Sequence, residues 1–283
     1  MDRAVFIINP FSAKKQSDLF IQKLKTKVDP LHYYVSESVE KTTEFILETK
    51  EKYDVYVAVG GDGTIASIAK SLVNTSKILA VFPAGSGNGF AYETQFDTNL
   101  EGLLKKIERR KYRKIDSIKI GSHLSINVSG AGLDAQVAKA FETTSRGFKN
   151  YVKVTLKTFF NYRPIQVDFH SQELEKYSGE YMMLNLANTR QFGNFAYIAP
   201  KASKSDGLVD LVLIKKFSFL YSLPFAFRLF TKALKADKYL TYIPVSKAEF
   251  SLDTTCFQMD GEYVEVDSPL KVEVLPQSLT VLV

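Results

Sequence analysis

The sequence predicts an α/β domain built on a mostly parallel sheet, followed by a second domain of antiparallel β structure with helical insertions. Two observations predict the first domain. Apolar runs at Ala4–Ile8, Val55–Val59 and Ile78–Phe82 alternate with stretches of helical periodicity, the pattern of β–α–β units. Two of these runs end in small-residue loops, Gly60-Gly61-Asp62-Gly63-Thr64 and Pro83–Gly89. A third observation predicts the second domain: from Ile115 onward, short strand-like runs follow one another across turn residues.

In the first domain, Ala4–Ile8 opens into Asn9-Pro10-Phe11-Ser12-Ala13, where Asn and Pro are turn formers. A helix is expected over Ser17–Thr26 with Leu19, Phe20 and Leu24 inward, then a strand over His32–Ser36 and a helix over Thr42–Lys52. Ser36 alone reads as a cap or turn serine. After Gly60–Thr64 a helix places Ile65, Ile68, Ala69 and Leu72 on one face. In open α/β sheets, ligands bind beyond the carboxyl ends of the strands. Glycines there let backbone N–H groups approach phosphate oxygens, and a helix N-terminus adds a favourable dipole. Asp62 supplies a carboxylate suited to Mg²⁺. One such loop alone is also what a tight strand–helix turn requires; the second, one strand later, favours a ligand. Leu100, Leu103, Leu104 and Ile107 mark a further amphipathic helix. It ends in the basic run Glu108–Lys114, mainly a solvated helix end.

The boundary falls near residues 115–121: a first domain over 1–118, a second over 119–277, and a strand over 278–283 that returns to the first. A junction between domains is a usual ligand site. Strands are expected at 115–120, 124–129, 165–170, 180–187, 208–214, 247–253, 256–259, 263–267 and 270–275. Helices interrupt them at about 146–161, with Phe148, Val152, Leu156 and Phe159 or Phe160 inward, and at about 218–234, aromatic and basic. Asp134 suits the N-cap of a helix Ala135–Phe141. Ala199–Asp210 and Met259-Asp260-Gly261-Glu262 both carry Asp-Gly, a turn signal. The histidines His32, His123 and His170 have no metal-ligand spacing.

Composition narrows the class. Of 283 residues, 45% are hydrophobic and 24% charged, which excludes a disordered chain. Lys+Arg 37 against Asp+Glu 31 gives +6, which suits an anionic partner such as a membrane or nucleotide and equally suits simple solubility. The single cysteine, Cys256, excludes an internal disulfide framework and fits a reducing cytoplasm. The apolar run in the first residues is too short for a signal peptide. Phe217–Phe230 is interrupted by Pro224 and Arg228 and falls short of the roughly 20 residues of a spanning helix. The expectation is a cytoplasmic protein that touches the inner face of a membrane transiently.

Gly60–Thr64, followed by Pro83-Ala84-Gly85-Ser86-Gly87-Asn88-Gly89-Phe90-Ala91, resembles the diacylglycerol kinase/sphingosine kinase superfamily of lipid kinases, most closely its compact bacterial members. The similarity runs from Ala4 to about Leu275. It implies an NAD kinase/phosphofructokinase-like nucleotide-binding domain and a C-terminal β-sandwich that takes the lipid. It implies ATP-dependent, Mg²⁺-assisted phosphorylation of a lipid hydroxyl, of diacylglycerol or sphingoid type, at a membrane surface. ATP would lie along Asn9, Pro10, Phe11, Ser12, Ala13, Ser36, Gly60, Gly61, Asp62, Gly63, Thr64, Ile65, Ala66, Ser67, Gly85, Ser86, Gly87 and Asn88. In bacterial members the Asp-Gly-Glu glutamate, here Glu262, is the proton acceptor, and Asp260 matches a residue near the Mg²⁺–ATP. In sphingosine kinases the aspartate corresponding to Asp62 has the base role, so both assignments stay open. Asp134 matches a position that contacts the lipid head group, and Asp116 is grouped with it. A structural Mg²⁺ would take the Asp206 carboxylate and the carbonyls of Ser203 and Leu208, a chemically reasonable set.

The sequence departs from the family at Phe11 and Ala13, where a small residue and Gly are common, at Ser36, where Thr is usual, and in both glycine loops. Ala66 and Ser67 stand where Asn and Glu are usual, and Gly89 stands where bacterial members have Asp. These departures leave the metal network and the lipid identity open. The alternatives are an NAD kinase-like small-molecule kinase, disfavoured by the second loop, and a catalytically silent lipid- or nucleotide-binding regulator. The expected partners are a membrane lipid, an anionic membrane surface and, as an option, a second copy of the chain. No nucleic-acid motif is present.

Overall fold

The computed structural model describes residues 3–11, 20, 22–24, 26, 32–85, 87–94, 99–142 and 148–283. Ser12, Ala13, Ser86 and most of the helix expected over 17–26 lie outside the described residues. The chain divides into two units, residues 1–115 with 277–283, and residues 116–276.

In the first unit, β1 (Ala4–Ile8), β3 (Val55–Gly60) and β4 (Ile78–Pro83) are buried along most of their lengths. A parallel sheet covered on both faces needs such uninterrupted apolar strands. The three pair in parallel, Ala4 opposite Val55 and Val55 opposite Ile78. β2 (Tyr33–Val35) flanks β1. The end of the long final strand, β16 (Leu270–Leu282), lies parallel to β4 with Thr280 opposite Ile78. The order is β2-β1-β3-β4-β16. Helix α1 spans Val39–Thr49, starting earlier than expected because Ser38 caps it: its Oγ accepts the Lys41 N–H. Helix α2 (Asp62–Leu72) buries Ile65, Ile68, Ala69 and Leu72, as its periodicity predicts. The short α3 (Gly89–Glu93) and α4 (Leu100–Arg109) follow.

The second unit is antiparallel. One sheet runs β12 (Leu240–Val245), β11 (Val209–Ile214), β10 (Met183–Ala187), β7 (Val128–Gly132), β14 (Cys256–Met259) and β15 (Glu262–Glu265). A second layer pairs β13 (Lys247–Leu252) with the first half of β16 and with β8 (Ile165–Phe169), which pairs β9 (Gly179–Tyr181). Phe169, Phe250 and Val272 of that layer meet Leu184, Leu211 and Phe257 of the first in one core. Alternate residues on β10, namely Met183 and Ala187, face the other way into a second core. Helices α5 (Leu133–Glu142), α6 (Phe148–Asn161) and α7 (Phe219–Phe230) complete the unit. Among the described residues no helix is long and apolar enough to cross a membrane.

Four sequence expectations are corrected. The strand expected at 124–129 is broken into β6 (His123–Ser125) and β7, because the Ile126 and Asn127 N–H groups turn to the Asp260 carboxylate. β12 was not expected: Pro244 argues against a strand, and it is tolerated because β12 lies at the sheet edge. On α6, Val152 and Leu156 are exposed while Val154 and Phe159 pack inward. The helix is apolar on more than one face, so periodicity alone could not choose between them. Asp134 lies within the first turn of α5, not at its cap.

Candidate functional site

In the first unit, the carboxyl ends of β1, β2, β3 and β4 carry the residues singled out by motif. Asn9 follows β1; its Nδ2 donates to Thr64 Oγ1 at 2.8 Å and its Oδ1 accepts the Phe11 N–H at 2.9 Å. Pro10 stands in the turn and Phe11 is exposed beyond it. Ser36 follows β2, where its N–H donates to Ile8 O and its Oγ bonds the Thr42 hydroxyl at 2.7 Å. The side chain of Ser36 is therefore held locally.

The two glycine loops meet backbone to backbone. A Cβ on Gly85 would lie 2.5 Å from Gly61 Cα, which no side chain permits. The Ala84 N–H donates to Gly60 O at 2.8 Å. Asn88, at φ 52°, closes the second loop on itself: Oδ1 accepts the Gly85 N–H and Nδ2 donates to Gly85 O. Such bare backbone beside a helix N-terminus suits polyphosphate. Asp62 opens α2 and its Oδ1 accepts the Phe90 N–H at 3.2 Å, linking the two loops. Gly63 and Thr64 complete the first turn, whose N–H groups have no acceptor within the helix. Ile65 and Ala66 are buried, so any nucleotide contact there is through backbone. Ser67 Oγ donates to Thr64 O within α2.

In the second unit, Asp260 is buried at φ 55° in the β14–β15 turn. Its Oδ1 accepts from Ser125 Oγ at 2.7 Å, Ile126 N at 3.1 Å and Asn127 N at 2.8 Å. Its own N–H donates to Ser129 Oγ at 3.0 Å. Glu262, two residues on, begins β15 and is exposed. The sequence set these carboxylates side by side, whereas the fold turns Asp260 inward and leaves Glu262 in solvent.

Asp134 is buried on α5. Its Oδ2 accepts Asn185 Nδ2 at 2.5 Å and Gln258 Nε2 at 3.1 Å. Asn185 and Gln258 stand opposite Gly130 on the strands to either side, so one row across three strands presents both amides. Gly130 has to be glycine, since a Cβ would lie 2.2 Å from the Leu184 carbonyl oxygen on β10. Burial pushes the Asp134 carboxyl up to about 7, against the lowering effect of those two amides. Asp134 Oδ1, Asn185 Oδ1 and Tyr162 Oη are buried without a hydrogen-bond partner. Buried polar groups ordinarily have one, so the cluster is suited to a polar guest. A cavity of about 180 Å³, lined in part by Gly132, Gln136, Tyr162 and Cys256, opens beside it. Asn185, Gln258, Gly130 and Tyr162 were missed from sequence. The signal available was polar residues inside otherwise apolar strands.

Gln258 also ties this cluster to the hairpin, since its Oε1 accepts the Gly261 N–H at 2.7 Å. Asp116 serves a third region. Its N–H donates to Lys204 O at 2.7 Å and its Oδ2 accepts the Gly207 N–H at 2.8 Å, which holds the loop carrying Ser203, Asp206 and Leu208. Asp206 is exposed and its Oδ1 accepts the Leu208 N–H. Burial, and then the charge of Asp206, pushes the Asp210 carboxyl up. Among the described residues no cluster of three His, Cys, Asp or Glu could hold a metal. Ser203, Asp206 and Leu208, the set expected to hold a structural Mg²⁺, lie together on this one loop, with Asp206 supplying the carboxylate.

Residues 3–120 match the family model for the diacylglycerol kinase catalytic domain, and residues 127–283 that for the YegS C-terminal NAD kinase beta sandwich-like domain. A diacylglycerol kinase of Bacillus subtilis is 25% identical over 93% of this chain and 90% of its own. One of Staphylococcus aureus is 27% identical over 76% of this chain and 71% of its own. A solved structure of a diacylglycerol kinase from Bacillus anthracis str. Sterne shares the fold, with a TM-score of 0.74 at 18% identity over 99% of this chain and 96% of its own.

Proposed function

We infer that this chain, which belongs to the diacylglycerol kinase family with a YegS-type C-terminal domain, is a lipid kinase that transfers the γ-phosphoryl group of ATP to the hydroxyl of a diacylglycerol- or sphingoid-type lipid at a membrane surface. The observation that carries this reading is the backbone contact between Gly61 and Gly85, with Asp62 linked to Phe90. Phosphoryl transfer is chiefly a matter of positioning and charge. Bare backbone at two strand ends positions phosphates, and a carboxylate at the start of α2 adds charge where a cation would be held.

The residues divide the work. Asn9 and Thr64 tie the turn after β1 to the start of α2, and Asn88 sets the second glycine loop. We assign Glu262, which is exposed, to take the proton of the lipid hydroxyl. Asp260 holds the turn that carries Glu262. Asp134, whose carboxyl burial pushes up to about 7, offers Oδ1 to a polar head group beside Tyr162. Mg²⁺, when bound, offsets phosphate charge. Asp62 would hold it at the phosphates, and Asp206 with the Ser203 and Leu208 carbonyls would hold a structural ion.

The test is incubation of the purified chain with γ-labelled ATP and mixed micelles containing either diacylglycerol or sphingosine. Labelled lipid in one of them is expected. Tight ATP binding with no transfer to either, or to total cellular lipid, rejects the kinase reading in favour of a silent regulator.

A further inference from the structure

Helix α7 is apolar on two sides. Tyr221, Phe225 and Leu229, spaced by four, pack against the core around Phe217 and Leu234. Leu220, Leu223, Phe227 and Phe230 recur at intervals of three and four on another face. There they are exposed, Leu220 to 80%, Leu223 to 65% and Phe227 to 69%. A stripe of that spacing is what a helix buries when something covers it. Neighbouring α6 repeats the arrangement, with Val152, Leu156 and Phe160, spaced by four, exposed. The Phe160 ring lies 5.1 Å from that of Phe219 at the start of α7, which joins the two stripes into one surface. Contiguous apolar surface of this kind marks an interaction site.

Charge identifies what covers it. Lys153 and Lys157 lie along α6, and Lys215, Lys216, Lys232, Lys235 and Lys238 flank α7, all exposed. Residues 148–163 contain no acid. Between Lys215 and Lys238 the one acid is Asp237, and it is engaged by Arg228 and the Tyr221 hydroxyl. A second copy pressed face to face would bring like charges together. An anionic bilayer satisfies both features: leucine and phenylalanine enter the acyl boundary while lysines reach lipid phosphates. The 12 residues of α7 are too few to span the bilayer, so the helix lies in the interface.

We propose that the outer face of α6 and α7 is the membrane-docking surface of this protein and seats it on anionic bilayers. The proposal rests on the lipid-kinase reading for the location of the substrate, and its test is separable from that reading. The chain contains no tryptophan, so Leu223→Trp gives a single reporter in the full chain, and Leu47→Trp on α1 gives a control. With phosphatidylcholine vesicles containing phosphatidylglycerol, the reporter at 223 is expected to shift to the blue and to be quenched by brominated acyl chains, while that at 47 is not. Pure phosphatidylcholine should give a weaker response. The combined variant Leu220→Ser, Leu223→Ser, Phe227→Ser is expected to lose about tenfold in vesicle affinity per side chain, since each buries a large apolar group. No shift at 223, equal shifts at both positions, or unchanged affinity in the triple variant overturns the proposal. So does a blue shift that grows with protein concentration without vesicles and accompanies a doubled mass, which would assign the face to a second copy. Transfer to a water-soluble short-chain diacylglycerol is read in parallel and should survive in the triple variant. Docking without any transfer overturns the kinase reading alone.

Discussion

The carboxylate of Asp62 accepts the backbone N–H of Phe90 at 3.2 Å, so one side chain fastens the loop after β3 to the loop after β4. An asparagine keeps an oxygen for that bond and loses the charge. Asp62→Asn is therefore expected to fold with near wild-type stability and to lose nearly all phosphoryl transfer. Asp62→Ala should lose transfer too, and in addition about 1 kcal/mol of stability from the missing hydrogen bond. Urea unfolding beside single-turnover transfer separates the two. Normal turnover in Asp62→Asn at saturating Mg²⁺ would remove the charge from the mechanism.

Gly85 tests the loops as one structure. The Cβ of an alanine there meets Gly61 Cα at 2.5 Å and Asn88 Oδ1 at 3.0 Å. The backbone must move, since Gly61 Cα is a main-chain atom and cannot rotate away as the Asn88 side chain could. Gly85→Ala is expected to cost about 1–3 kcal/mol through overpacking and to weaken ATP binding by at least tenfold. Isothermal titration with a non-hydrolysable ATP analogue reads the second effect. Unchanged affinity would move the phosphates away from this junction.

Asp134 predicts a pH dependence of stability. Its folded value, raised to about 7 by burial, lies above the unfolded carboxylate value of 3.8. The folded state thus binds the proton more tightly, and stability falls as pH rises from about 4 through 7. Between pH 5 and pH 8 the loss should be about 2–3 kcal/mol. Asp134→Asn keeps the shape without the titration, so its unfolding free energy should vary less over that range. A parallel pH profile for wild type and variant would refute the assignment.

The parallel sheet and its two glycine loops were legible because apolar runs feeding small-residue turns have few other meanings. The Gly61–Gly85 contact was not, because it depends on β3 and β4 pairing in register, Gly60 opposite Pro83. The Asp134 cluster was half legible. The aspartate stood out, but Asn185 and Gln258 join it only through the alignment of β10, β7 and β14 around Gly130. The outer face of α6 misled for a physical reason. A helix with apolar residues on two sides satisfies the inward pattern twice, and the sequence does not say which side lacks cover.

Asp260 and Glu262 occupy one hairpin and should separate cleanly on substitution. Asp260 is buried and its Oδ1 receives two backbone N–H groups and the Ser125 hydroxyl. Alanine there strands those donors, and leaving a buried donor unsatisfied costs about 1–3 kcal/mol. Asp260→Ala is therefore expected to lower stability by several kcal/mol and to lose activity with it. Glu262 is exposed at the first position of β15, so Gln there should leave the unfolding curve unchanged. Gln cannot take a proton from the lipid hydroxyl, and loss of a general base typically costs about 10²–10⁴-fold in rate. Single-turnover transfer, with ATP affinity measured separately, is the deciding observation. A large drop in rate at unchanged ATP affinity and stability assigns Glu262 as the base. Near-normal transfer in Glu262→Gln, with Asp62→Asn inactive, moves that role to Asp62 and leaves Glu262 an ordinary strand residue.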